Sequence, residues 1–260
     1  MSGAIAAEWV KARTVRSTWT CLLAGAVLTV LGAVTLGGGR ATELVREGVT
    51  GARLPATEGV VSAMAFAQFA LVALAMLTVT SEYSSGSIRG TLQAVPVRGR
   101  VLAAKALVVA PVLFAAGVVS GALAAVANHA LLAMPVFGGF GTLEPGRTAG
   151  DLLRLGVFCA LAGVLTVGVG AAVRSAAGTL SVVFMLMMGL PLLLMMTGSQ
   201  AAVELATRLP LFAGLAFMGS ESNLTGGPIP YPAWQGLAWL VAWAALALAA
   251  GHAVLRRRDA

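Results

Sequence analysis

"VVSAMAFAQFALVALAMLTVT", residues 60–80, contains no Asp, Glu, Lys or Arg. A helix rises 1.5 Å per residue, so about 20 such residues cross roughly 30 Å of hydrocarbon. The stretch therefore reads as a transmembrane span. Five further charge-free runs of the same kind flank it, at approximately 20–38, 106–132, 155–173, 178–198 and 236–255. The whole chain agrees with them. Of 260 residues, 58% are hydrophobic and only 10% charged, which places the chain among integral membrane proteins. The expected fold is all-α: six transmembrane helices in one domain over 1–260. The first span reads as a signal anchor, because its charged leader through Trp19 is long and five spans follow.

Charge asymmetry orients the spans. With the N-terminus inside, the inner segments hold eleven cations (Lys11, Arg13, Arg16, Arg89, Arg98, Arg100, Lys105, Arg174 and Arg256 to Arg258) against three acids. The outer segments hold six cations against seven acids. Both termini are thus expected in the cytoplasm. The net charge of +7 points to anionic lipid headgroups and not to nucleic acid, since no basic patch is interleaved with aromatics. Arginine outnumbers lysine fifteen to two, and the Ala, Val and Gly content fits a high-GC bacterium. The expected location is the bacterial cytoplasmic membrane. Cys21 and Cys159 fall at opposite ends of their spans, which argues against a disulfide and for two buried thiols.

Between the spans, residues 3–18 read as an amphipathic surface helix with Ile5, Trp9, Ala12 and Trp19 on one side, or as a plain basic flank. The outer loop 39–59 alternates Arg and Glu and reads as solvated, and 133–152 is Gly- and Pro-rich. In 199–235 a surface helix is expected and, after Pro210, a short apolar helix too short to span. The Asn-Leu-Thr at 223–225 matches a glycosylation acceptor without meaning in a bacterial host.

The inner loop is the unusual one. "SEYSSGSIRGTLQAVPVRGR", residues 81–100, is longer than the roughly 2–8 residues a plain helix connection needs. Gly86 permits a sharp turn, and Ser87 suits the N-cap of a short helix from Ile88 to about Gln93. Ile88 and Leu92 share one face and Arg89 and Gln93 the other. Pro96 ends the helix, and Arg98 and Arg100 are expected at the headgroups. The expected shape is a stub parallel to the membrane that offers an apolar knob to a soluble partner.

No catalytic constellation is present. Neither Lys11 nor Lys105 sits in the Gly-x-x-x-x-Gly-Lys context of a P-loop, so the chain carries no ATP site of that kind. Metal-ligand spacings and paired intramembrane carboxylates are absent as well. His129, beside Asn128, and His252 read as interfacial or interhelical hydrogen-bonding groups. Five methionines in the fifth span, among them Met188, read as packing or an adaptable apolar wall more readily than as a thioether metal site. Pro191 should kink that span. Asn128, His129, Met188 and Pro191 are the candidates for lining a substrate path. Gly117, Gly121 and Ala125 form a small-xxx-small line, read as helix packing before a dimer seam. Carriers driven by ions usually place ionisable groups near the midplane, and none lies there, so energy for transport would come from a partner.

Residues 80–105, "TSEYSSGSIRGTLQAVPVRGRVLAAK", resemble the second-to-third-span loop of ABC-2 type permeases. That pattern is matched by Glu82, Gly86, Ile88, Thr91, Leu92, Pro96, Arg98 and Lys105. The leader "AEWVKARTVRSTW" and the ending "LRRRDA" are similar to those of actinobacterial members. The resemblance implies the membrane half of an ABC exporter: two permease subunits, expected as a homodimer, with two separate cytosolic ATPases that bind the ATP and Mg. This chain would bind no cofactor itself. The short inner helix would be the coupling helix that docks in a groove on the ATPase, with Glu82, Gly86, Ile88, Arg89, Thr91, Leu92, Pro96 and Arg98 forming the coupling element. The implied function is export of an amphipathic or lipophilic drug, antibiotic or peptide. A non-transporting immunity or sensor subunit is the rival, and a polytopic membrane enzyme lacks its catalytic groups.

Overall fold

The structure is a computed structural model that describes residues 2–95, 97–219 and 229–257, without the side chains of Ser2 and Leu92. The sequon at 223–225, Pro96 and Arg258 lie outside the described residues. The chain is almost wholly helical: α1 (Ser2–Thr14), α2 (Arg16–Arg46), α3 (Ala56–Ser84), α4 (Ile88–Ala94), α5 (Arg98–Leu132), α6 (Pro145–Val173), α7 (Ala176–Phe184), α8 (Leu190–Met196), α9 (Gln200–Thr207), α10 (Pro210–Met218) and α11 (Ala233–Arg257). A π-helical turn, Met185–Gly189, joins α7 to α8, so that Ala176–Met196 forms one span. Among the described residues six helices are long and apolar enough to cross a membrane, and they coincide with the six runs read from the sequence.

α3 and α6 lie at the centre. Their Val60, Met64, Leu71, Leu155, Phe158 and Leu165 belong to one continuous buried core. α2, α7–α8 and α11 leave most of their apolar surface uncovered, as outer helices facing lipid should. Contacts between spans run through small residues. On α2 a ridge of Gly25, Thr29, Ala33, Gly37 and Ala41, spaced by four, is buried. A Cβ on Gly168 of α6 would sit 2.4 Å from the Ala247 carbonyl carbon of α11, so only hydrogen fits there. The Gly117–Gly121–Ala125 line faces α6, where Cys159 and Leu155 fill the space beside it. It is an internal packing seam and not a dimer surface.

Several loop expectations change. α2 runs on to Arg46, and α3 begins at Ala56, so most of 39–59 is helix. The helix persists beyond the hydrocarbon because Ala41 is buried with Leu132 and Phe140 in a second small core. Leu54–Pro55 pairs in parallel with Gly141–Thr142, a two-residue clasp that ties the α2–α3 connection to the α5–α6 one. The N-terminal helix stops at Thr14, since Val15 is extended (φ −78°, ψ 125°), and α2 starts directly after it.

In the third far-end segment the two expected helices, before and after Pro210, are both present. α9 and α10 meet at Pro210 with a 69° bend. α10 is apolar all round and buried all round, wedged against α6 and α11. Tyr231 donates its hydroxyl to the Thr207 carbonyl, and Trp243 Nε1 donates to the Arg208 carbonyl at 2.9 Å. Both carbonyls belong to the end of α9, where the helix leaves acceptors unmet. Burial around Tyr231 pushes its pKa up to about 12, against a smaller opposing pull from Arg208.

Candidate functional site

Glu82 ends α3, Lys105 begins the apolar part of α5, and Glu8 and Lys11 lie on α1; their side chains close into one ring. Lys105 Nζ donates to Glu8 Oε2 at 3.0 Å, to Glu82 Oε1 at 2.7 Å and to the Thr78 carbonyl at 2.8 Å. Lys11 Nζ donates to Glu8 Oε1 at 2.8 Å and to Glu82 Oε1 at 2.6 Å. Lys105 is 2% exposed, Glu8 7% and Glu82 6%, while Lys11 reaches the surface. Charges taken this far from water lose several kcal/mol each in hydration, and strong pairing is what lets them stay ionised. Two acids and two lysines make the ring neutral. Partial burial opposes the Lys11 charge, yet the carboxylates of Glu8 and Glu82 outweigh it and hold its pKa above the ordinary 10.5.

The ring is why α1 is folded against the bundle. A helix of 13 residues is marginal alone, and the face that α1 turns inward carries Ala4, Glu8 and Ala12, one turn apart. Trp9 and Val10 point away. The inward face thus carries a carboxylate among Ala4, Ile5 and Ala12, while Trp9 and Trp19 of the expected apolar stripe are exposed on the protein surface. Between α1, α3 and α5 a cavity of about 480 Å³ adjoins the ring, walled by Leu74, Leu77, Val109 and Val112.

A second polar tie joins the same end of α5 to the last turn of α11. Arg98 Nη1 donates to the Leu255 carbonyl at 2.6 Å. Arg174, with left-handed φ of 61°, closes α6, places its guanidinium 5.3 Å over the Tyr83 ring and reaches toward the Val254 carbonyl at 3.5 Å. Val254 and Leu255 lie in the last described turn of α11. Arg98 thus ties α5 to α11 and is half-buried, whereas Arg100 is exposed.

The inner loop forms its short helix, with a correction to its face. Gly86 takes the left-handed turn (φ 73°), and α4 follows from Ile88. Ser87 is not a side-chain cap: it is itself helical (φ −66°, ψ −16°), and its Oγ pairs with Ser85 Oγ at 2.9 Å. Ile88 is buried against the chain's own bundle. Among the described side chains of α4, those of Arg89, Gln93 and Ala94 are exposed, as is Gly90. Thr91 is half-buried at the edge of the cavity. The Leu92 side chain and Pro96 lie outside the described residues. The expected apolar knob, so far as Ile88 made it, faces inward, where the bundle offers the nearest apolar surface.

The substrate-path candidates do not gather. Asn128 is fully buried, donates Nδ2 to the Ala56 carbonyl at 2.9 Å and is pressed between Gly37 and Gly59. It borders a cavity of about 440 Å³ between α2, α3 and α5. His129, Met188 and Pro191 line none of the described cavities. His129 Nδ1 is enclosed without a hydrogen-bond partner among the described residues, and His252 packs on Gly99. Pro191 follows the π-helical turn, as expected of a proline that removes one helix hydrogen bond. Cys159 is buried and Cys21 only half-buried, and both are free thiols. Among the described residues no three His, Cys, Asp or Glu side chains gather for a metal.

No protein-family model matches the chain, and no characterised protein matches it in sequence. Glu82 and Lys105 stood in the sequence as loop residues, and Glu8 and Lys11 as a basic flank. A signal for the ring was there: Lys105 stands one residue before a charge-free run, where a cation must find partners.

Proposed function

We propose that this chain is the permease subunit of an ABC exporter in a bacterial cytoplasmic membrane, paired with a second copy and with separate ATPase subunits. The cargo class is an amphipathic or lipophilic molecule, and both termini lie in the cytoplasm. The observation that carries the reading is α4. A seven-residue helix stands between two spans, rooted by Ile88 and presenting Arg89 and Gln93 outward, at the same end as the ion ring. A partner that pushes on such a helix moves the base of α3 directly. The ring passes the push on to α1 and α5. The chain has no P-loop of its own, so the energy enters through that contact.

The burial of Ile88 and the exposure of Arg89 and Gln93 support a docking chemistry centred on Arg89. The partner surface should be polar or acidic around Arg89, with less weight on an apolar groove. The test is purification of the tagged chain from its native membrane, followed by reconstitution. An ATPase should co-purify, and the pair should move cargo into proteoliposomes only with ATP. Arg89→Glu should release the ATPase while leaving the amount of folded permease unchanged. Absence of any ATPase, or normal export by Arg89→Glu, would refute the reading and favour a non-transporting membrane subunit.

A further inference from the structure

At the end of the bundle opposite the ion ring, a polar cavity of about 600 Å³ opens between α2, α3 and α6. Four arginines border it: Arg40, Arg53, Arg147 and Arg154. They are four of the six cations in the far-end segments, whereas only two of the seven acids there, Glu58 and Asp151, line the same cavity. Asp151 is engaged by the Thr57 hydroxyl at 2.6 Å, and Arg40 shares an exposed pair with Glu43 at 3.2 Å. Among the described residues Arg53, Arg147 and Arg154 form no ion pair. The far end as a whole is nearly balanced in charge, and yet this cavity is cationic.

Two helix starts add to that field. α3 begins after Pro55 and α6 after Glu144, neither with a side-chain cap on its first turn. Pro55, Thr57 and Glu58 of the one, and Gly146 and Arg147 of the other, border the cavity. The positive end of a helix dipole favours an anion at such a place, although Glu58 already stands in the first turn of α3 and Pro145 brings no N–H to that of α6. The guanidinium fork favours a flat or tetrahedral oxyanion with several acceptor oxygens. The clasp of Leu54–Pro55 on Gly141–Thr142 holds the two connections in register, so the cavity's walls are tied together.

We infer that this cavity is a binding site for a phosphate-class anion at the outer face, whether free or carried by a lipid headgroup. The inference is independent of the exporter reading. Full-length protein in phosphatidylcholine nanodiscs is titrated with inorganic phosphate, with chloride holding ionic strength constant, while the thermal unfolding midpoint is read. Parallel discs contain phosphatidylglycerol. Phosphate, phosphatidylglycerol or both should raise the midpoint. The exposed pair Arg147→Ala, Arg154→Ala should weaken the apparent affinity tenfold or more, and Arg53→Ala, on the connection before α3, provides a second test if the double variant misfolds. Arg13→Ala, Arg16→Ala at the opposite end should leave the response intact. A response to free phosphate assigns the site to a soluble anion, and a response to the lipid alone assigns it to a headgroup. No response beyond chloride to either, or an equal response from the arginine variants, would overturn the inference.

Discussion

Replacing Lys105 with methionine should detach α1 from the bundle. Lys105 Nζ makes three hydrogen bonds and is almost wholly buried, so its removal leaves two buried carboxylates sharing Lys11 alone. Losing one partner of a buried ion pair costs about 3–5 kcal/mol, much of it the stranded opposite charge. At 1.4 kcal/mol per factor of ten, that is on the order of a hundred- to several-thousandfold in the docking equilibrium of α1. Lys11→Ala removes two bonds from a lysine that already meets water, where an ion pair contributes roughly 0–1 kcal/mol. A cysteine at Ala4, half-buried on the inward face of α1, reports undocking through its rate of alkylation. The rate should rise steeply in Lys105→Met and little in Lys11→Ala. The double change Glu82→Gln, Lys105→Met should fall between them, because it removes opposite charges together. The Lys11 contribution has a pH signature as well. Its pKa is raised in the folded protein, so its stabilisation is complete below 10.5 and fades only as pH rises beyond that value. Equal alkylation rates for Lys105→Met and Lys11→Ala would refute the idea that burial, and not bond count, sets the strength of this ring.

Two further outcomes are expected. Gly168→Ala should lower thermal stability by about 1–3 kcal/mol or more, since its new methyl would meet α11 backbone, whereas Gly90→Ala, open to solvent, should be neutral or stabilise α4 by up to about 1 kcal/mol; equal midpoints in a melting assay would contradict the close approach of α6 and α11. Single cysteines at Ser85 and Thr142, which lie at opposite ends of α3 and of the clasp, should label from opposite sides of intact cells, with Thr142 accessible from outside. Labelling of both from one side would undo the orientation derived from charge.

What the sequence reveals and what it hides divide along physical lines. Spans are legible because twenty apolar residues without a charge have few other uses, and the break at Pro210 is legible because proline cannot continue a helix. Absence of charge marks hydrocarbon, however, not helix. That is why α2 extends past residue 38 to Arg46, held by a core that includes Phe140 from another connection. Two apolar residues four apart, Ile88 and Leu92, establish a shared face without stating which way it turns. The burial of Ile88 settles its own direction, and nothing local could have. The ion ring is hidden for a different reason. Glu8 and Lys105 are 97 residues apart, and spacing carries no information on pairs made by tertiary packing. The bond from Arg98 to the Leu255 carbonyl, 157 residues away, was hidden in the same way.

The first two turns of α5 deserve a mechanical reading. Lys105 grips α1 and α3 there, and Arg98 grips the last turn of α11. Each of these grips is a short bond involving a charged donor, stiffer than the apolar contacts that surround it. A tilt or twist of α5 at this end is therefore not absorbed by local repacking. It drags three other helices with it, as the boss of a wheel drags its spokes. At its opposite end α5 is held by Asn128, bonded to the first residue of α3, so the helix has a pivot there and a handle here. A displacement of a few tenths of an ångström at the handle would be shared by most of the bundle, and the span built from α7 and α8, bound chiefly by apolar contacts and broken by its own π-turn, would be the one left free to lag behind.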